Sequence, residues 1–343
     1  MSKIAYFLIF MSFLMVNNNS IAYCQIQKRV IDLDSLPVVE VYAENVIGAE
    51  ENQKIMFYHI EKLDIDRNGS VYVCDSGNNR ILIFNNSGRL IRIFGREGGG
   101  PGEFREPNDI VITDSSVYVS ELKNARIQVF ERNLRYYGLF AVAPTFSFDI
   151  AANDSYIYVP NHIDMKKKSI MVFEAKKPFR FVRSFLDLRK PAKGENYTVM
   201  TLNSFTLDCD TRGNVYVVRC PFPFLYIFDP NGKKLAEIEF RGKHVEELRT
   251  PIRQKITTGA TDPIKIFIED IFLDEKNNLF LLTSRNYVIY FDRKENKVLK
   301  ILPYPDRTRN LKRIWYRGIA RWKNRLYITD KWNEALLIFP FNI

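Results

Sequence analysis

The sequence predicts an all-β protein: a six-bladed β-propeller closed by an N-terminal strand that completes the last blade. Three observations predict it. A short strand of alternating apolar and aromatic residues recurs six times, a second strand ending in Phe follows each copy, and a polar turn precedes each copy. Self-similarity at a fixed period marks repeat architectures, and many short strands separated by turn residues favour small sheets stacked radially.

The recurring strand reads Val71-Tyr72-Val73, Val117-Tyr118-Val119, Ile157-Tyr158-Val159, Val215-Tyr216-Val217, Leu279-Phe280-Leu281 and Leu326-Tyr327-Ile328. Its partner runs from Ile81 to Phe84, Ile127 to Phe130, Ile170 to Phe173, Leu225 to Phe228, Val288 to Phe291 and Leu336 to Phe339, at offsets of 10, 10, 13, 10, 9 and 10 residues. The turns before each copy are rich in Asn, Asp and Gly, as in Asp66-Arg67-Asn68-Gly69 and Asp210-Thr211-Arg212-Gly213-Asn214. Those residues tolerate the left-handed conformations of tight hairpins. A first strand therefore precedes each turn: Leu63 to Ile65, Ile110 to Ile112, Ile150 to Ala152, Leu207 to Cys209, Ile271 to Leu273 and Ile319 to Arg321. Fourth strands follow in five units. The sixth lacks one, and Pro37 to Tyr42 is expected to supply it against Leu336 to Phe339, leaving no exposed sheet edge there.

The stretch Asp66 to Phe84 resembles an NHL repeat almost residue for residue, as does Phe94-Gly95 leading through Gly98-Gly99-Gly100-Pro101-Gly102-Glu103-Phe104 to Pro107. The match covers roughly residues 60 to 140 and fades in blades three to five. Overall the chain is similar to the NHL-repeat-like six-bladed propellers abundant among exported proteins of gut bacteria. The resemblance implies fold and compartment but little chemistry. Asp75, Glu121 and Asp330 share one repeat position, and Arg80 and Arg126 another; recurring residues of this kind are expected to hold the loop between strands two and three.

Residues 1–22 read as a secretory signal peptide: Lys3 is the positive start, Ile4 to Val16 the apolar run, and Ser20-Ile21-Ala22 a small-residue cleavage site. Residues 23–343 then form one propeller domain, exported to the periplasm or cell envelope. Cys24 is a candidate lipid anchor, although the bulky Tyr23 before it argues against lipidation. Of Cys24, Cys74, Cys209 and Cys220, none has metal-type spacing, and a core of this size needs no disulfide staples.

The net charge of +10 concentrates in residues 160–169, 241–266 and 303–316, all on the face carrying the strand two-to-three and four-to-one loops. A basic rim there would draw an anionic ligand such as an acidic glycan; a merely solvated surface is the alternative. Nucleic acid is not expected, because neither a recognition helix nor an RNP-type strand is visible.

Aligning the first strands places Lys62, Asp109, Asp149, Thr206, Asp270 and Gly318 at one position near the channel mouth, where NHL-like repeats usually carry Gly. The three aspartates are candidates for holding Ca²⁺, a hard cation that takes oxygen ligands. Alternatively they cap the preceding loop, with Lys62 and Arg317 balancing their charge. His59, His162 and His244 fall on the same face and are weaker metal candidates without a zinc spacing. Trp315 and Trp332, with Tyr316 and Tyr197, occupy loop positions where flat rings could stack on sugars. No nucleophile elbow, Walker loop or Rossmann fingerprint is present, and Gly98 to Gly102 precedes no helix. The expected function is an exported binding scaffold for an extracellular or periplasmic protein or an anionic or glycan ligand. A metal-dependent lyase or hydrolase at the channel mouth is the alternative.

Overall fold

The computed structural model describes residues 26–48, 55–142, 149–161, 168–190, 203–220, 222–247, 267–305 and 314–342. Six sheets lie around one axis. Their innermost strands are Ile60–Ile65, Pro107–Ile112, Ala151–Ala152, Ser204–Cys209, Ile268–Leu273 and Tyr316–Trp322, for blades one to six in chain order. Each blade continues outward as an antiparallel meander, so the six sequence units become six sheets.

The apolar core divides into six clusters, one at each seam between neighbouring blades. The recurring aromatic explains this division. In a strand successive side chains point to opposite faces, and the second strand is covered on both, so Val-Tyr-Val presents Tyr to one neighbouring blade and Val to the other. Tyr118, for example, joins the seam between blades two and three, whereas Val117 and Val119 join that between one and two.

Three N-terminal strands wrap the outside: β1 (Gln27–Asp32), β2 (Val38–Tyr42) and β3 (Asn45–Ile47). β1 adds a fifth strand parallel to Lys234–Arg241 of blade four, and β2 does the same beside Lys297–Tyr304 of blade five. β3 completes blade six, with Leu336, Leu337 and Ile338 opposite Ile47, Val46 and Asn45. The ring is thus closed by an N-terminal strand, but not by the segment expected. Pro37 to Tyr42 pairs with blade five, and the chain crosses to blade six where the Ala43 N–H donates to Tyr304 O and the Glu44 N–H to Ile338 O. Burial accounts for the difference. A strand that seals a blade must be apolar where seams meet, and Val46 and Ile47 are buried, whereas Val38 is 52% exposed and suits an outer edge.

Candidate functional site

The inner strands bring Lys62, Asp109, Asp149 and Asp270 together on the axis, although they come from blades one, two, three and five. The Lys62 ammonium donates to Asp149 Oδ2 at 3.3 Å, to the Glu269 carbonyl at 2.9 Å and to Asp270 Oδ1. Burial alone would push this ammonium's pKa down; Asp149, Asp270 and Asp109 outweigh it and hold the pKa above its ordinary value. Toward the loop-rich face lies a second tier. Arg317 of blade six reaches Glu61 Oε2 at 2.9 Å and Glu269 Oε2 at 2.7 Å, and Lys331 pairs with the other Glu61 oxygen. Burial raises the Glu61 carboxyl, but Arg317 and Lys331 bring it below its usual range. Cross-channel ion pairs therefore brace this end.

Asp109 and Asp270 have a further role. Asp109 Oδ2 accepts the Ile150 N–H at 2.7 Å and Asp270 Oδ2 the Ile319 N–H at 2.8 Å. Each carboxyl thus ties its blade to the inner strand of the next one rather than capping the preceding loop. Among the described residues no three His, Cys, Asp or Glu side chains form a group suited to a metal ion. At the aspartates considered for Ca²⁺, the cationic centre is the Lys62 ammonium.

Beyond this floor the channel opens into a cavity of about 420 Å³. It reaches the face opposite the loop-rich one, because the turns between first and second strands line it: Asp66-Arg67, Thr113-Asp114, Asn153 to Ser155, and Asp210-Thr211. Asp64 and Asp208 stand in its wall, on blades one and four, which face each other across the axis. Asp64 Oδ2 accepts the Ile112 N–H and Asp208 Oδ2 the Leu273 N–H, both at 2.7 Å, again tying each blade to the next. Both carboxyls lie deep in the molecule but keep surface toward the cavity. Burial pushes Asp64 up to about 7 against the opposing pull of the Ile65 and Ile112 N–H groups, and raises Asp208 well above the carboxylate range. Burial also raises Asp270 to about 6, with Lys62 pulling the other way.

The rim is held rigidly. In blades one, four and five the turn aspartates Asp66, Asp210 and Asp274 each accept two backbone N–H groups of their own turn, as in Asp66 Oδ1 with Asn68 and Ser70 at 2.9 Å. Gly69 and Gly213, both at φ +82°, supply the left-handed residue. Arg132 pairs with Asp66 at 3.2 Å and Arg321 with Asp274.

The other predicted residues are dispersed. Trp315 and Trp332 are exposed on the loop-rich side, where the Lys331 ammonium lies over the Trp315 ring. Tyr316, expected in a loop, is instead buried in the inner strand of blade six, donating its hydroxyl to Pro303 O. His59 is exposed beside Tyr58 at blade one. His244 pairs through Nδ1 with the Tyr287 hydroxyl in blade five at 2.7 Å, and burial, then Arg285 and Lys300, depress it to about 4. His162, Tyr197, Cys24 and most of the three basic segments lie outside the described residues.

The recurring carboxylates Asp75, Glu121 and Asp330 bind Asn78, Asn124 and Asn333 of the loop between strands two and three, and they also accept the Tyr58, Arg105 and Trp315 N–H groups of the loop entering each first strand; the first two pair with Arg80 and Arg126. Arg126 in addition donates to the Gly99, Gly100 and Glu103 carbonyls, fixing the glycine run as a turn between blades.

Sequence reasoning missed Asp64 and Asp208, and a signal was present. Each lies between two aliphatic or thiol residues, Leu63 and Ile65 or Leu207 and Cys209, at a repeat position filled by Val111, Ala151, Phe272 and Ala320 in the other blades. A carboxyl at an apolar repeat position marks an unusual environment.

Residues 45–210 match the model of a family described as a six-bladed β-propeller. Solved structures of like fold include a predicted exported protein from Bacteroides fragilis, 13% identical with a TM-score of 0.59, the match covering 92% of this chain and 99% of that one. Another is a protein of unknown function from Bacteroides thetaiotaomicron, 11% identical with a TM-score of 0.54, covering 87% and 74%. Virginiamycin B lyase from Staphylococcus aureus is 11% identical with a TM-score of 0.50, covering 85% and 83%. Such identities show the fold alone. Protein brain tumor of Drosophila melanogaster is 25% identical over 156 residues, which are 45% of this chain but only 14% of that protein. Together with the six sheets, these likenesses make the chain a six-bladed β-propeller.

Proposed function

We propose that the chain is an exported, non-catalytic binding scaffold that takes its ligand at a mouth of the central channel. The observation that carries the reading is the cavity of about 420 Å³ on the axis, closed behind by the Lys62 tier and rimmed by pinned turns. Ligand sites are concave, largely pre-formed and set on rigid scaffolds, and this cavity has those properties. The mouth in use is the one lined by first-to-second-strand turns, since ion pairs occupy the other. Its ligand is of extracellular or periplasmic origin, a glycan or a segment of a protein.

The test is a melting screen of the mature chain against neutral, acidic and amine-bearing oligosaccharides and short peptides, repeated with Ser155→Trp to obstruct the rim. A ligand that stabilises the parent chain and not the variant supports the reading. Turnover of a probe, or stabilisation indifferent to Ser155→Trp, overturns it.

Export rests on Lys3 and the apolar run to Val16. Cell fractionation with N-terminal mass analysis should find a chain beginning after Ala22, or acylated at Cys24 if the lipid-anchor alternative holds. Retention of residues 1–22 in the cytoplasmic fraction would refute export.

A further inference from the structure

We infer that the channel cavity takes an extended organic cation, a ligand bearing two or more ammonium groups, with Asp64 and Asp208 as its principal counter-charges. This rests on the cavity being the ligand site. The first ground is local charge. Among the described residues ten carboxyl side chains line the cavity against three guanidiniums, in a chain whose net charge is +10; two of the ten, Asp149 and Asp270, already hold Lys62. The arginines are already matched, Arg67 with Asp114, Arg132 with Asp66 and Arg321 with Asp274. Among the described residues neither Asp64 nor Asp208 forms an ion pair.

The second ground is the floor, which shows how this channel holds an ammonium. The Lys62 head is gripped by two carboxylates and one backbone carbonyl drawn from blades three and five. Charges in a site withdrawn from bulk water attract more strongly than in solution, which favours a cation facing several carboxylates.

Spacing separates an organic cation from a metal ion. Among the described residues no three carboxylates are grouped tightly enough for one coordination sphere, whereas Asp64 and Asp208 stand on opposite blades around a space that holds many atoms. Separate ammonium groups on one frame suit that arrangement. Burial favours the neutral form of both carboxyls, and an entering cation would favour the ionised form, so binding is expected to release protons.

Two sources share this chemistry, free aliphatic polyamines and amino-sugar oligomers. Calorimetry on the mature chain at pH 8 separates them, using spermidine, a glucosamine disaccharide, CaCl₂ and trigalacturonate as probes. At least one amine should bind with a Kd below about 1 mM. Its affinity should fall about tenfold or more in the double variant Asp64→Asn, Asp208→Asn. The rim variant Asp114→Asn, Glu275→Gln alters only exposed side chains and should weaken the same amine about threefold, which decides the matter if the first variant does not fold. Failure of both amines to bind, binding indifferent to both variants, or tighter binding of Ca²⁺ each overturns the inference. If trigalacturonate alone binds and Ser155→Trp blocks it, the channel remains the ligand site and only the cation assignment falls.

Discussion

The two ends of the channel are built from different positions of the same inner strands and solve opposite problems. At the loop-rich end four of the acids on the axis have a base, Lys62 standing between Asp149 and Asp270 and Arg317 between Glu61 and Glu269, while Asp109 is held by the Ile110 and Ile150 N–H groups. At the turn-lined end Asp64 and Asp208 face open space with only backbone N–H groups for partners. One end is charge-matched and filled, the other charge-rich and hollow. Buried charges are tolerated when paired and hydrogen-bonded, so the first end reads as scaffold and the second as a place prepared for something else.

Removing the central cation should break the matched end. Lys62→Met leaves Asp109, Asp149 and Asp270 buried around an apolar side chain. Stripping one partner from a buried ion network costs about 3–5 kcal/mol. Urea unfolding should show that loss. A loss under about 1 kcal/mol would mean the floor is wetter and less stringent than its geometry indicates, and the contrast between the two ends would lose its basis.

The hollow end should respond to pH with a predictable sign. The Asp64 carboxyl rises to about 7 in the folded protein, from about 3.9 in an unfolded chain. The folded state therefore holds this proton more tightly, and its contribution to stability is present at low pH and lost as pH climbs from about 4 through 7. Asp64→Asn cannot ionise. Because the amide replaces one acceptor of a backbone N–H, the variant should start out less stable than the parent near pH 4. The gap should then narrow as pH rises to 8, by about 1–2 kcal/mol. Melting temperatures at several pH values check this; a gap that stays constant would show that Asp64 is already ionised and solvated.

Local rules made the blades legible, and non-local ones hid the rest. Val-Tyr-Val alternation, the Asp and Gly of each turn and the Phe that ends each third strand are all decided within about ten residues, so six units could be read from the chain. The closing strand could not. Val38 to Tyr42 and Asn45 to Ile47 both make credible strands, and only the seam they meet, exposed beside Lys300 or buried beside Leu337, tells them apart. The channel residues Lys62, Asp109, Asp149 and Asp270 were legible as a set because they share one repeat position. Which mouth they close was not, since that depends on the Lys62 side chain reaching blades three and five. The loop-rich face carries the long basic insertions, whereas the cavity is lined by short turns whose Asp residues are also ordinary turn formers.

The smallest effect is expected at the residues most often associated with sugar stacking. Trp332 is 54% exposed on the loop-rich face, away from the cavity lining, and its backbone N–H is fixed by Asp330 whatever the side chain. Trp332→Ala should therefore leave stability within about 0.5 kcal/mol of the parent. It should also leave the affinity of any channel ligand unchanged, because neither the carboxylates nor the pinned rim feels the loss. Calorimetry with the best-binding amine checks this against Ser155→Trp in the same titration. If Trp332→Ala weakens binding while Ser155→Trp does not, the ligand sits on the matched end after all, and charge pairing there leaves a surface to be recognised rather than a channel closed.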